Sequence, residues 1–460
     1  MISEKQEKLK IAYIPLAKGS WLNDRGYKTR EQSIEELKRN PGVDIVAPDF
    51  IATNDDEAYQ ACEYFKYMHV DVILIQFIGF APGSIVAILA TAIAAPVVLW
   101  SIPEAPMTGG RLEINSFCAS NLNAFILTKL KRKYKYIFSS VESVSEKIAP
   151  VFRVLSVIKT LRRIKIGLVG SRVPGFYTSN FNELELRRIL GVEVQYITLL
   201  EVIHVADQIN SEEIDKVLPR FISIERDQIT DEELLKSVRL YLSFRKLAIK
   251  YHLDAYAIKC WSEFGDIYGI GVCSCLSFLS TDGIICACES DINGSVNMII
   301  NYLLCSQVPF FCDFISYDEK DNSGIVWHCG AASETLCKTN CMGKLCKHGS
   351  IDGGNKKGVT YEFPLKSGPV TFCSFGEGNK GHRLLLTTGN ALDTKQLIKG
   401  NPLIIKFDID VKKLVETIIY QGFAHHYVVV HNNNYDDLID LCKWLDIEIV
   451  TVKDCQENKV

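Results

Sequence analysis

The sequence predicts an α/β protein with two doubly wound parallel-sheet domains followed by a smaller, mainly antiparallel β C-terminal domain. Apolar strand-like runs alternate with helix-length segments through residues 1–160, and the same rhythm begins again after residue 161. From residue 347 onward, short alternating segments between glycines and prolines replace that rhythm. We therefore expect domains at residues 1–160, 161–346 and 347–460, the last of them β-rich.

The elements of the first domain follow from its hydrophobic pattern. Strands are expected at Lys10–Leu16, Val43–Ala47 and Asp71–Phe77, and helices at Glu31–Asn40 and Asp55–His69. In a doubly wound sheet, functional residues lie in loops at the carboxyl ends of the strands.

One long uncharged stretch, between Asp71 and Glu104, has the length of a membrane span. Pro82-Gly83 and Pro96 divide it into strand, turn, helix and strand. That order is typical of a buried βαβ unit, whose parallel strands are apolar throughout. We expect no membrane association.

The second domain begins with the strand-like run that follows Arg163, and Gly191 ends its first helix. A polar helix pair is expected over residues 212–249, before two core strands at residues 254–261 and 283–289. The third domain contains several short strands and, near its end, the His425-His426 pair.

Composition excludes several functional classes. Hydrophobic residues make up 47% of the 460 residues and charged residues 23%, which is typical of a folded enzyme. The net charge of −4 provides no basic surface, so we expect no nucleic-acid partner. The 16 cysteines follow a charged N-terminus without a secretory signal, and many lie in apolar runs. Reduced thiols and a cytoplasmic location are expected.

Two acids stand out in the segment Ile284–Phe314. The segment is predicted to form a strand, a helix and a parallel strand, with Glu289 and Asp313 at the two strand ends. Because such ends share one sheet edge, the carboxylates would converge, and a divalent cation would offset the cost of burying them. Alternatively, Asp313 is an exposed strand end and Glu289 caps the following helix.

Histidines provide the second set of candidates. His425 and His426 precede a strand-like run, and strand alternation would direct one of them into a site. A neutral imidazole beside two carboxylates is a suitable ligand set for Mn²⁺; two solvated histidines are the alternative. His328 could bind the cation, hydrogen-bond a sugar hydroxyl, or serve only packing.

Over nearly its whole length the chain resembles the L-fucose isomerase / L-arabinose isomerase family. The 24-residue separation of Glu289 and Asp313 matches the spacing of the two metal-binding acids in the L-fucose isomerase branch. The other matching segments are Trp100-Ser-Ile-Pro-Glu104 with Arg111 and Asn115-Ser116, Gly170-Ser-Arg-Val-Pro-Gly175-Phe176, Lys259-Cys-Trp261, Cys288-Glu289-Ser-Asp291-Ile-Asn-Gly294, Phe311-Cys-Asp313, Trp327-His-Cys-Gly330, Gly368-Pro-Val-Thr371 and Gly422-Phe-Ala-His-His426.

The resemblance implies an aldose–ketose isomerase that works through a cis-enediolate. Mn²⁺, or another divalent cation, would be held by Glu289, Asp313 and His426, and the two acids would be catalytic. The family's metal-binding histidine falls on the His425-His426 pair, and counting back from Leu445–Ile449 favours His426. The residues expected to bind the sugar are His328, His425, Lys259, Trp261, Trp100 and Arg111.

The resemblance also implies a closed homo-oligomer, for example a hexamer, with active sites at subunit interfaces. Trp100, Glu104 and Arg111 would then act on a neighbouring subunit's site.

Two other functions use similar features: a sugar sensor without catalysis, and a metal hydrolase with the same three ligands. The sequence leaves open which sugar is used, whether L-fucose, D-arabinose, L-arabinose or a modified hexose. The cysteines Cys329, Cys337, Cys341 and Cys346, with His348, match no family pattern. They lack paired C-x-x-C spacings, which disfavours a zinc or iron–sulfur site.

Overall fold

The computed structural model describes residues 2–5, 7–260, 262–349 and 357–452 of the chain. The chain divides into two units, Gln6–Lys159 and Met1–Lys5 with Thr160–Val460. The first unit contains a parallel sheet, and the second contains another parallel sheet and a mainly antiparallel one. The predicted fold class is confirmed.

Over its described residues, the N-terminal unit is built on five β-strands and five α-helices. They are β1 (Leu9–Leu16), β2 (Val43–Val46), β3 (Val72–Phe77), β4 (Val97–Ser101) and β5 (Tyr134–Phe138), with α1 (Asp24–Leu37), α2 (Asp55–Phe65), α3 (Gly83–Ala92), α4 (Ser116–Lys129) and α5 (Val144–Leu161). All neighbouring strands are parallel, in the order β2-β1-β3-β4-β5. Side-chain caps fix two helix starts, because Asn23 accepts from the Gly26 amide and Asn54 from the Glu57 amide.

The uncharged stretch between Asp71 and Glu104 forms β3, α3 and β4, as predicted. Every residue of β3 and of β4 is buried, which explains why both strands are apolar throughout. Among the described residues, no helix combines the length and the apolar character that crossing a membrane requires.

In the part of the chain that the structure describes, the second unit begins with five β-strands and six α-helices. They are β6 (Lys165–Val169), β7 (Glu193–Ile197), β8 (Glu225–Asp227), β9 (Ala255–Ile258) and β10 (Ile285–Cys288), with α6 (Glu183–Leu190), α7 (Leu199–Asp207), α8 (Ser211–Ile222), α9 (Asp231–Tyr251), α10 (Cys273–Thr281) and α11 (Ile292–Cys305). Four of the strands form a parallel sheet in the order β10-β9-β6-β7. Capping boxes at Asn210 and Thr230 begin α8 and α9, the predicted polar helix pair.

The remaining elements are mostly antiparallel. They are β11 (Phe310–Asp318), β12 (Ser323–His328), β13 (Lys344–Cys346), β14 (Thr360–Glu362), β15 (Gly368–Gly378), β16 (Gly381–Ala391), β17 (Asn401–Phe407), β18 (His426–Val430) and β19 (Glu448–Val450), with α12 (Val411–Gln421) and α13 (Tyr435–Leu445). The strand order β15-β18-β11-β12-β17-β16 closes on itself because β15 also pairs with β16, and β19 adds to β16 in parallel. A separate small sheet has the order β14-β13-β8.

The expected boundary near residue 346 does not separate the sheets. Strands β11 and β12 precede it in sequence but pair with β18 and β17, which follow it. Residues 161–346 and 347–460 also fall in the same unit.

The structure corrects the predicted topology of Ile284–Phe314. Strand β10 joins the parallel sheet, but β11 pairs antiparallel with β18 and β12 in the other sheet. The prediction was wrong because a strand–helix–strand pattern does not record which sheet the second strand joins. Here the buried run of β18, more than 110 positions further along the chain, is the partner of β11.

Candidate active site

Strand pairing brings Asp313 and His426 together. Asp313 lies on β11 directly opposite His426, the first residue of β18. Because directly opposed residues of an antiparallel pair share one face, both side chains point the same way. The distance from Asp313 Oδ1 to His426 Nε2 is 3.8 Å. Asp313 and His426, which were predicted from separate segments of the sequence, are therefore neighbours.

A tight turn directs Glu289 towards the same place. Glu289 and Ser290 follow β10 with φ angles of 57° and 58°, the left-handed region that side chains disfavour. Two consecutive residues of this kind cost about 1–2 kcal/mol each. After the turn, Glu289 Oε2 lies 3.2 Å from His425 Nε2 and 3.4 Å from His426 Nε2. The strained turn thus holds the carboxylate against both imidazoles.

Asp291 fixes the orientation of His426. Its Oδ2 lies 2.8 Å from His426 Nδ1, while its Oδ1 accepts the Gly294 amide and caps α11. Burial lowers the pKa of His426, but the hydrogen bonds to Asp291 and Glu289 raise it to about 10. A carboxylate on one imidazole nitrogen leaves the other nitrogen aimed at the site, an arrangement common among metal-binding histidines.

His425 has a different environment. Its Nε2 contacts Glu289, and its Nδ1 lies 3.0 Å from Thr178 Oγ1. The ring of Phe176 stands 5.5 Å from that of His425, edge to face. The loop after β6 therefore covers this side of the site. Phe176 belongs to a segment noted in the sequence, but nothing in the sequence pointed to Thr178.

Unsatisfied polar atoms surround the cluster. Asp313 Oδ1 and His328 Nε2 are both buried without a hydrogen-bond partner. Leaving a buried polar atom unpaired costs about 1–3 kcal/mol, so such atoms indicate a missing ligand. The ring of His328 lies 6.4 Å from that of His426, and Phe311 packs against both.

The donor set suits a divalent cation. Ligand atoms of Glu289, His425 and His426 lie within 4.8 Å of one another. Asp313 adds an unpaired oxygen 3.8 Å from His426 Nε2. Carboxylate oxygens with imidazole are donors that Mn²⁺ accepts. The four residues predicted at the centre of the site are thus brought together, and which histidine binds metal stays a prediction.

Comparison with known proteins identifies the type of reaction. No family model matches the chain. The sulfoquinovose isomerase of Priestia megaterium (strain ATCC 12872 / QMB1551) is 29% identical over 95% of this chain and 98% of its own length. Those of Alkalicoccus urumqiensis and Clostridium sp. (strain MSTE9) are 28% and 26% identical, covering 97% and 95% of this chain and 100% and 98% of their own lengths. The chain is an aldose–ketose isomerase.

The predicted enzyme class is therefore confirmed, while membership of the L-fucose / L-arabinose isomerase family stays an expectation. A XylFII molecule among the solved structures is 11% identical over 64% of this chain and 94% of its own, with a TM-score of 0.16, and supports no inference.

Lys259 of the isomerase directly follows β9, which pairs with β10, the strand that Glu289 follows. Its side chain is buried and forms an ion pair with Glu263. Trp261, also predicted to bind substrate, lies outside the described residues.

Two predicted sugar-binding residues of the isomerase belong to the N-terminal unit. Trp100 is fully buried and its indole N–H donates to the Ser139 carbonyl oxygen at 2.9 Å, so the side chain packs in that unit's core. Arg111 is exposed and lies over the ring of Trp21, 5.4 Å from its centroid. Their contacts with substrate stay predictions.

Glu104 has a structural role in that unit. Its carboxylate accepts backbone N–H groups from Ala105 and from the three residues 113–115. Although burial works in the other direction, these hydrogen bonds lower the pKa of Glu104. The ionised side chain therefore organises the loop that carries Arg111.

Proposed function

We propose that the chain is a metal-dependent isomerase, with Mn²⁺ as the preferred cation, and that its substrate is an anionic aldose of the sulfoquinovose type. The observation that carries the metal dependence is the meeting of Glu289, Asp313 and two imidazoles, with an unpaired buried oxygen on Asp313. The relatives named as sulfoquinovose isomerases support the substrate class.

In this proposal Glu289, Asp313 and His426 hold the cation. When bound, the cation would polarise the sugar carbonyl and stabilise negative charge that develops next to it. One of the two carboxylates takes the proton from the carbon beside the carbonyl, and the other handles the hydroxyl proton. Asp291 accepts the proton of His426 Nδ1, so Nε2 is the nitrogen directed inward, and a bound cation would displace the Nε2 proton that the raised pKa of His426 otherwise retains.

His425 and His328 would orient the sugar from two sides of the cluster. His425 is held between Glu289 and Thr178. The unpaired Nε2 of His328 is free to exchange a hydrogen bond with a hydroxyl group. Lys259 is already paired with Glu263, which favours a supporting role.

Arg172 supports an anionic substrate. It lies in the loop after β6, which contacts the site at two points: Ser290 Oγ donates to the Ser171 carbonyl oxygen at 3.1 Å, and Thr178 contacts His425. Arg172 Nη1 is buried without a hydrogen-bond partner, and the guanidinium stacks over the Tyr177 ring at 4.6 Å. A guanidinium with an unused donor suits the planar, bidentate recognition of an oxyanion such as a sulfonate.

The metal-dependent isomerisation is tested with Glu289→Gln and Asp313→Asn. Each variant should abolish aldose–ketose interconversion, followed by NMR of the sugar, while its melting temperature shows that the fold is kept. Chelation should inactivate the wild type and Mn²⁺ should restore it. Wild-type turnover in either variant, or in the chelated protein, would contradict the proposal. Product release without isomerisation would indicate a hydrolase, and binding without conversion a sensor.

The anionic substrate is tested separately with Arg172→Gln. Loss of a charge-assisted hydrogen bond costs about 1.5–3 kcal/mol, so KM for sulfoquinovose should rise roughly 10- to 100-fold. Arg188→Gln is the matched control, because Arg188 is exposed and paired with Glu185 on α6. An unchanged KM in Arg172→Gln would remove Arg172 from this role. Equal efficiency of the wild type on sulfoquinovose and glucose would refute the substrate class.

A further inference from the structure

A second cluster of metal-binding side chains lies outside the residues assigned to isomerisation. The sulfur atoms of Cys273 and Cys329 are 3.6 Å apart, and a ring nitrogen of His348 completes a group whose atoms lie within 4.8 Å of one another. Both cysteines are buried and both are free thiols. We propose that Cys273, Cys329 and His348 bind a thiophilic divalent cation, with Zn²⁺ as the best match.

The distances suit tetrahedral zinc. With Zn–S bonds of about 2.3 Å, two thiolates of one tetrahedral site stand roughly 3.8 Å apart. The observed 3.6 Å between Cys273 Sγ and Cys329 Sγ is close to that value. Cys288 and His328 form a separate neighbouring group with Cys329, with ligand atoms also within 4.8 Å of one another.

The protein backbone already holds the three ligand segments together. Cys273 begins α10, Cys329 follows β12 and His348 follows β13. Residues in and next to β14 bond to all three segments. The Ser274 amide donates to Val359 at 2.9 Å, the Tyr361 amide to Gly330 at 3.0 Å, and Thr360 Oγ1 to Cys346 at 3.2 Å. The ligands are therefore preorganised, which lowers the entropy lost on binding a cation.

Two glycines lie next to His348, and one of them leaves the space that its backbone occupies. A Cβ at Gly358 would stand 2.2 Å from the backbone nitrogen of His348, so any side chain there would displace the histidine. A Cβ at Gly271 would stand 3.6 Å from His348 Cδ2. Among the described residues, none hydrogen-bonds to the His348 ring, and one of its nitrogens lies within 4.8 Å of the sulfur atoms of Cys273 and Cys329.

Donor chemistry separates this site from the first. Thiolates select zinc and other soft cations, whereas carboxylate oxygens suit Mn²⁺. Five residues stood out in the sequence from Cys329 to His348. Of these, Cys329 and His348 belong to the proposed zinc site. Cys337 instead directs its thiol to the carbonyl oxygen of Cys341 at 3.3 Å. Cys273, the third ligand, lies far from the others in sequence and had no signal there.

The test replaces the resident cation with Co²⁺, whose thiolate complexes absorb in the near ultraviolet. The whole wild-type protein should show a thiolate-to-cobalt charge-transfer band and about one equivalent of tightly bound zinc by elemental analysis. Cys273→Ser and His348→Gln should each lose the tight zinc, and Cys273→Ser should lose most of the band. Cys341→Ser, outside the cluster, is the matched control and should keep both signals.

Glu289→Gln separates this proposal from the isomerase site, since it should keep the thiolate–cobalt band although its catalytic metal site is damaged. Cys273→Ser and His348→Gln change different segments of the chain, so the test does not depend on the folding of a single variant. A wild-type protein without the band, or zinc content unchanged in both variants, would overturn the inference. In protein unfolded with a chelator and no reductant, a count of reactive thiols two short of the 16 in the sequence, mapped to Cys273 and Cys329, would show a disulfide instead and would overturn it equally.

Discussion

Replacing Asp291 by asparagine probes how the site is held. The carboxylate of Asp291 has two duties: Oδ1 accepts the Gly294 amide at 2.8 Å, and Oδ2 contacts His426 Nδ1 at 2.8 Å. An asparagine has only one acceptor oxygen. If that oxygen keeps the Gly294 amide, the NH₂ group faces Nδ1 and forces the proton of His426 onto Nε2, the nitrogen that faces Glu289 and Asp313.

The expected size of the effect follows from this geometry. Loss of the hydrogen-bonded partner of a metal-binding histidine weakens metal affinity roughly 10- to 100-fold, or about 1.4–2.8 kcal/mol. If the side chain turned to keep His426 instead, α11 would lose its cap at a cost of about 0.5–2 kcal/mol in stability. Asp291→Asn must therefore lose either Mn²⁺ affinity or the stability that the cap of α11 contributes.

The assay is a Mn²⁺ titration in which free cation is followed by electron paramagnetic resonance, together with urea unfolding. Asp410→Asn is the control, because Asp410 caps α12 by accepting two backbone amides. It should leave Mn²⁺ affinity unchanged. An Asp291→Asn protein with wild-type Mn²⁺ affinity would refute the role of Asp291 in orienting His426.

Two further predictions concern histidines. His426→Ala should lower Mn²⁺ affinity more than His425→Ala in the same titration, because His426 Nε2 faces both acids and His425 contacts Glu289; the reverse order would assign the metal to His425. Burial lowers the pKa of His431 to about 4, so its stabilising effect is complete above its unfolded pKa of about 6.5 and is lost as pH falls through 4. His431→Gln should therefore weaken the decline in urea stability between about pH 7 and about pH 4.5 by up to about 3 kcal/mol, and identical declines would contradict this.

Local pattern was sufficient to predict much of the fold. Alternating apolar and helical segments predicted β1, β3, α2 and the unit around the uncharged stretch, because parallel strands buried on both faces are apolar throughout. The pairing of β11 was not predictable in this way. Its partner β18 is distant in sequence, and no short-range signal distinguishes joining one sheet from joining another.

In the candidate site, too, some residues were predictable from the sequence and others were not. Glu289, Asp313 and the His425-His426 pair could be proposed from spacing and resemblance, since these residue types have few other reasons to stand in apolar runs. The sequence offered Glu289 as the cap of the following helix, but Asp291 is the cap of α11, and its second oxygen contacts His426. Thr178 contacts His425 although the two residues are 247 positions apart in the sequence, so no local pattern could indicate this contact.

Anomalous diffraction from crystals of the isomerase grown with Mn²⁺ tests the central claim most directly. We predict one manganese peak within coordinating distance of Glu289, Asp313 and His426 Nε2, with His426 Nδ1 still bonded to Asp291. A peak elsewhere, or one that leaves Asp313 and His426 without contact to the cation, would contradict the proposed site.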